Sequence, residues 1–223
     1  MATSGTVTWR LNVEQILVEA YERCGKDAQV LTNYQTTTAM RSLNLLFVEW
    51  ANEGVNYWAT SQVTLDMVSG TQSYTLPAGT VDIVAPVYRR SGADTELTRL
   101  SLDEWQFNPS KTTAGLSTSY FLDRQYTPVL YLWPVPDDST DDVVYWKLSQ
   151  LEDIDTLTDD ADVPYRWNEA MCAGLAEKLC AKDPQLNIPR LEHLTLKAKE
   201  KFENASVEER DKANLQVTIV GRR

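Results

Sequence analysis

The sequence predicts an α+β chain: an antiparallel α-helical bundle interrupted by an inserted antiparallel β domain, with an extended C-terminal segment. Three successive stretches of distinct hydrophobic period carry that prediction. Over residues 12–54 apolar side chains recur at steps of three and four, the spacing of one helix face. From Val63 the period falls to two, as in half-buried strands. Beyond Val163 the helical spacing returns. Helices, then strands, then helices again read as a helical domain with an insertion. The expected parts are residues 1–59 and 161–213 for the helical domain, 60–160 for the β domain, and 214–223 for the extended segment.

The first helix opens at Asn12, a capping residue, with Gln15 placed to reach back and Leu11 placed to staple onto Ile16. It is expected to run to Cys24, with Gly25 as its stop. Thr32 and Gln35 repeat the start signal. The second helix then stacks Met40, Leu43, Phe47 and Trp50 on one face, with Leu46 beside them. Gly54 reads as its left-handed stop, which pairs Val55 with Trp50 and brings Tyr57 and Trp58 to the exit. Residues 12–54 are therefore expected to form a helical hairpin.

The strand region begins with Val63, Leu65 and Met67 alternating against Thr64 and Asp66. Tyr74 and Leu76 share a face before the break at residues 77–79. Val81, Ile83, Ala85 and Val87 alternate again, and Pro86 marks an edge or a bulge. Residues 103–119 read as a loop with one short helical turn near Trp105. Residues 129–133 and 143–148 are apolar on both faces, so they are expected to be central in a sheet or covered on each side. The acidic stretch 151–162 reads as the return linker. Asp162 is placed to cap the next helix, with Pro164 in its first turn and Trp167, Met171, Leu175 and Leu179 at steps of four. A last helix carries Leu191, Leu194, Ala198, Phe202 and Ala205 on one face and Lys and Glu on the other. Leu215, Val217 and Ile219 then alternate with Gln216, Thr218 and Val220, strand-like but remote from any other strand in sequence.

Five of these stretches together resemble the head-to-tail adaptor family of short-tailed phages, also called tail accessory or gatekeeper proteins. Residues 41–58 resemble that family's second helix, and Gly70-Thr-Gln-Ser-Tyr-Thr-Leu-Pro77 its entry strand. Tyr120-Phe-Leu-Asp-Arg124 leading into Leu130-Tyr-Leu-Trp-Pro-Val-Pro-Asp137, and Val163-Pro-Tyr-Arg-Trp167 opening a helix, are similar in order and spacing. The resemblance spans roughly residues 10–213. It implies a virion protein at the head-tail junction, made in the host cytoplasm. Such a protein forms a ring, typically of twelve copies, between the portal protein and the tail nozzle or tail tube. It lines the channel through which DNA leaves without being specifically bound. The β domain is then implied to make lateral or distal contacts; the alternative is a strand-region binding module for a tail fibre or glycan. The C-terminal segment is implied to reach a partner through Leu215, Val217, Ile219 and Val220, with Arg222 and Arg223 adding charge.

The remaining chemistry is sparse. A hydrophobic share of 43% argues against a disordered chain. No run of ~18 apolar residues suggests a membrane span, and the first residues show no secretory signal. A net charge of -11 disfavours a nucleic-acid grip. Cys24, Cys172 and Cys180 read as buried free thiols of a reducing compartment. With one histidine, His193, in a charged helix, no nucleophile-base site is expected, nor any cofactor or metal. Residues 137–142 hold four carboxylates, which suit a hard cation or, more simply, a solvated hairpin loop. Of seven tryptophans, Trp50, Trp133, Trp146 and Trp167 sit in core patterns. Trp9, Trp58 and Trp105 lie at element edges, where they suit a protein interface, or sugar stacking in a binding module for a glycan or fibre.

Overall fold

The computed structural model describes residues 5, 9–28, 30–54, 57–185 and 187–208. In chain order its helices are α1 (Val13–Arg23), α2 (Asn33–Asn52), α3 (Leu102–Phe107), α4 (Asn168–Ala181) and α5 (Ile188–Glu208). Its strands are β1 (Thr60–Asp66), β2 (Ser73–Thr75), β3 (Thr80–Arg90), β4 (Ala93–Glu96), β5 (Thr98–Arg99), β6 (Ser119–Asp123), β7 (Val129–Trp133) and β8 (Asp142–Ser149). The chain is thus mixed α+β, and it divides into two compact units: Met1–Val55 with Glu152–Arg223, and Asn56–Leu151. The alternating segment at 215–220 lies outside the described residues.

In the helical unit both expected capping boxes form. Asn12 exchanges hydrogen bonds with Gln15 (2.9 and 3.2 Å), and Thr32 with Gln35 (3.3 and 2.9 Å). Gly54 takes φ +75° after the Glu53 cap, and its N–H donates to Ala51 O at 3.1 Å, as a left-handed helix stop requires. The hairpin expectation needs correction, because α1 and α2 touch only lightly. Both pack instead on α4, as does α5. Helix α4 is buried nearly all round, and it is rich in Ala, Cys and Gly. Gly174 meets Leu46 of α2: a Cβ there would lie 3.0 Å from Leu46 Cδ2. Trp50, Trp167 and Phe202 close one end of the unit, with ring centroids 5.0–6.0 Å apart.

The acidic return linker is bound to the helices through its backbone. Asn44 of α2 donates to Ile154 O (3.2 Å) and accepts from Ile154 N–H (3.0 Å). Asp159 O and Leu157 O accept from the first-turn N–H groups of Val13 and Glu14 (3.0 and 3.1 Å), satisfying donors that α1 cannot pair internally. Asp162 does not cap the next helix as expected. Pro164 stands at the cap of a short 3-10 turn, Tyr165–Trp167, with no side-chain bond, and α4 continues from that turn.

The β unit holds two four-stranded sheets, ordered β1-β8-β3-β4 and β2-β7-β6-β5, antiparallel except for β5 with β6. Strands β7 and β8, apolar on both faces, lie in sheet interiors. Inward residues of both sheets, Tyr74, Ile83, Tyr88, Leu130, Leu132 and Tyr145 among them, share one core. Pro86 marks a bulge and not an edge. The β3–β8 register shifts between Val84 and Val87, and Ala85 is driven to φ +47°. Trp146 departs from its expected core position and is 46% exposed. The pleat explains this: Val143 and Tyr145 point into the shared core, so Trp146 points away from it. Trp133 is half-buried, with its Nε1 donating to Ser110 O at 2.9 Å.

Replacing Gly174 by leucine drives a branched side chain against Leu46 and should lower stability by about 1–3 kcal/mol. Gly174→Ala should stay within ~1 kcal/mol of the parent, because its gain in helix propensity offsets a milder contact. Chemical denaturation of the two variants measures both effects.

Candidate functional site

The described features that face outward are surfaces and several grooves, of which one bears on Trp9. The groove, of about 740 Å³, runs between α1 and the start of α4. Trp9, 70% exposed, and Tyr165, 74% exposed, both line it. Arg23 braces the two helices. It donates to Glu169 at 3.2 and 2.9 Å and to Glu19 at 2.7 Å. Hydrogen bonding from Arg23 holds the Glu169 carboxyl below the usual glutamate range, against a smaller opposing effect of burial. Cys172 also lines the groove but is itself buried, and burial pushes its thiol up to about 12. Cys24 is likewise pushed up to about 12 by burial, and its Sγ donates to Ala176 O at 3.0 Å. All three cysteines are free and buried.

The three edge tryptophans have separate fates. Trp9 presents its ring to solvent, whereas Trp58 is half-buried beside β1. Trp105 is 8% exposed, held by Phe121 and Tyr131 at centroid distances of 5.9 and 5.5 Å. Its ring therefore serves α3 docking, and Phe107 and Leu102 of the same helix point outward instead. Their exposure was not legible, because a six-residue helix shows too little of its period. Leu215, Val217, Ile219, Val220, Arg222 and Arg223 lie outside the described residues.

The carboxylate loop at 137–142 is solvated as expected over residues 137–140, which are exposed, but Asp141 turns inward. Asp141 is 1% exposed, accepting from Tyr88 Oη (2.7 Å) and Arg90 Nε (2.8 Å), while Arg90 also pairs with Asp137. Asp141 Oδ1 has no partner within the described residues. Among those residues no cluster of three or more His, Cys, Asp or Glu side chains is arranged to hold a metal ion. His193 is exposed on α5. No helix among them is long and apolar enough to cross a membrane.

An α+β fold with outward apolar side chains and an aromatic-lined groove is suited to work by contact, and the match to known proteins gives that contact its class, a phage structural adaptor. The family model described as SU10 adaptor protein matches residues 24–217, and the chain belongs to that family. No curated protein matches the chain. Membership implies a place in the virion and contact with other head or tail proteins.

The Arg23–Glu169 pair gives a pH prediction. The folded Glu169 value lies below the unfolded one, so its stabilisation is complete above the unfolded value and is lost as pH falls through the folded one. Glu169→Gln should cost up to ~1 kcal/mol near neutral pH, the pair being half exposed, and the gap to the parent should close on acidification. Denaturant midpoints of parent and variant across an acid series check this.

Proposed function

We propose that the chain is a head-to-tail adaptor of a short-tailed phage. Copies, typically twelve, form a ring between the portal protein and the tail nozzle or tail tube, and the ring walls the channel for DNA. The observation that carries this reading is a family match that spans the β unit and most of the helical unit. The helical unit is read as the bundle that makes the ring wall, and the β unit as the part that reaches sideways or outward. Leu45 and Val48 on α2, and Ile188, Leu196 and Val207 on α5, are exposed on helix faces that the monomer leaves uncovered. Apolar side chains in such positions suit subunit contacts.

Purified protein mixed with portal should yield a multi-copy complex by native mass measurement. Absence of any portal-dependent complex at micromolar protein and ordinary salt counts against the adaptor. The net charge of -11 repeated around a ring repels phosphates within a screening length of ~10 Å. Duplex binding is therefore expected to be weak, and tight, steeply salt-dependent binding overturns the conduit.

Residues 214–223 supply the partner-seeking segment in this reading, because a lone strand leaves backbone groups to be paired by another edge. Deleting them should leave the melting temperature nearly unchanged and greatly weaken portal docking. Equal docking by the truncated chain removes the segment from the reading. A second reading, a β-unit module that binds a tail fibre or glycan, is favoured by exposed Phe107, Tyr126 and Trp146 in that unit. Specific retention on a glycan array, abolished by alanine at those three positions, is its test.

A further inference from the structure

We propose that the groove between α1 and α4 seats the chain's own C-terminal segment, residues 214–223. Helix α5 runs back along α4: Thr195 donates to Glu177 at 3.0 Å, and Phe202 meets Trp167 at 5.7 Å. The last described residue, Glu208, therefore lies about 9 Å beyond Phe202, at the end of α4 that carries the groove. Lys201 already stands within electrostatic reach of Glu169 on the groove wall. Residues 209–214 span up to about 20 Å, enough to cross the start of α4.

The groove and the segment match in three respects. Along α1 the groove extends from Glu14 to Arg23, about 14 Å of helix. Leu215, Val217 and Ile219 in extended form repeat over about 13 Å on one side. Exposed Trp9 and Tyr165 offer those side chains apolar rings. Asn168 lines the groove and is 9% exposed, with its Nδ2 lacking an acceptor among the described residues, and a backbone carbonyl of an entering strand supplies one. Glu14 forms no ion pair within the described residues, while the segment ends in Arg222 and Arg223 and carries no carboxylate side chain. A seat of this kind also keeps a strand with unpaired backbone groups covered before assembly.

The test uses the full chain with Val18→Cys and Val217→Cys together, treated with a short bis-maleimide at several protein concentrations. Each single variant serves as a control, since Cys172 lines the same groove. The expected product is a cross-linked monomer of altered mobility whose yield does not depend on concentration. On that background Trp9→Ala with Tyr165→Ala should cut the yield about fivefold or more, with melting unchanged. A covalent dimer that grows with concentration overturns the proposal in favour of a second copy's segment, and no product above the controls overturns it outright. Hydrogen exchange on the unsubstituted chain gives an independent reading. Loss of residues 214–223 should raise exchange in residues 11–23 and 165–172, and unchanged exchange there also overturns the seat. These readouts need no portal, so their failure is separate from failure of the ring.

Discussion

The helical unit depends on how closely three helices can approach α4. A helix apolar on all sides must be enclosed, and enclosure at short distance needs small side chains. Ala170, Ala173, Gly174 and Ala176 supply them, so Leu46 of α2 comes against bare backbone and Cys24, just past α1, reaches the Ala176 carbonyl. Larger apolar side chains, Met171, Leu175 and Leu179, are spaced between them, and just before α4 Trp167 joins Trp50 and Phe202. This packing leaves α1, α2 and α5 each with one face on α4 and one face free.

A different device holds the β unit's loops. Arg90 leaves the end of β3 and pairs with Asp137 and Asp141 before β8 begins, while Tyr88 donates to the same Asp141 carboxylate. Breaking such a pair costs more than the pair adds, since one buried charge is then left alone. The arrangement ties the loop to the sheet at Asp141 while residues 137–140 stay exposed to solvent. The acidic return linker, by contrast, leaves most of its carboxylates outside and binds α1 and α2 through backbone groups.

Much of the fold was legible wherever local chemistry decides it. The two capping boxes, the Gly54 stop, the interior positions of β7 and β8 and the bulge near Pro86 all follow from short-range rules. Ser101-Leu-Asp-Glu104 carries the same capping grammar and starts α3 with Ser101 as cap, a signal present in the sequence but passed over. The central role of α4 was not legible, because apolar residues on every side blur the helical period that made α2 conspicuous. Trp146 reads as core for a similar reason: a strand apolar on both faces does not say which face is covered. For the site, Trp9 was visible as an edge aromatic. Tyr165, Glu14 and Asn168 join it only through the packing of α1 on α4, which brings together residues more than 150 apart in sequence.

The same packing bears on how contact surfaces arise in a chain of this kind. Residues that line the groove are placed by α1 and α4, and those helices are fixed by the core and not by any partner. Arg23 ties them again at the rim, where its guanidinium spans Glu19 on its own helix and Glu169 on the other. A surface built in this way keeps its shape without an occupant, so binding need not spend free energy on ordering the receptor. The cost of ordering falls on whatever extended segment enters, roughly 1–2 kcal/mol per residue fixed. Apolar anchors at alternate positions offset that cost only if they are covered on one side for the whole length of the strand. The length of the groove along α1 is therefore its decisive property, more than any single polar contact within it.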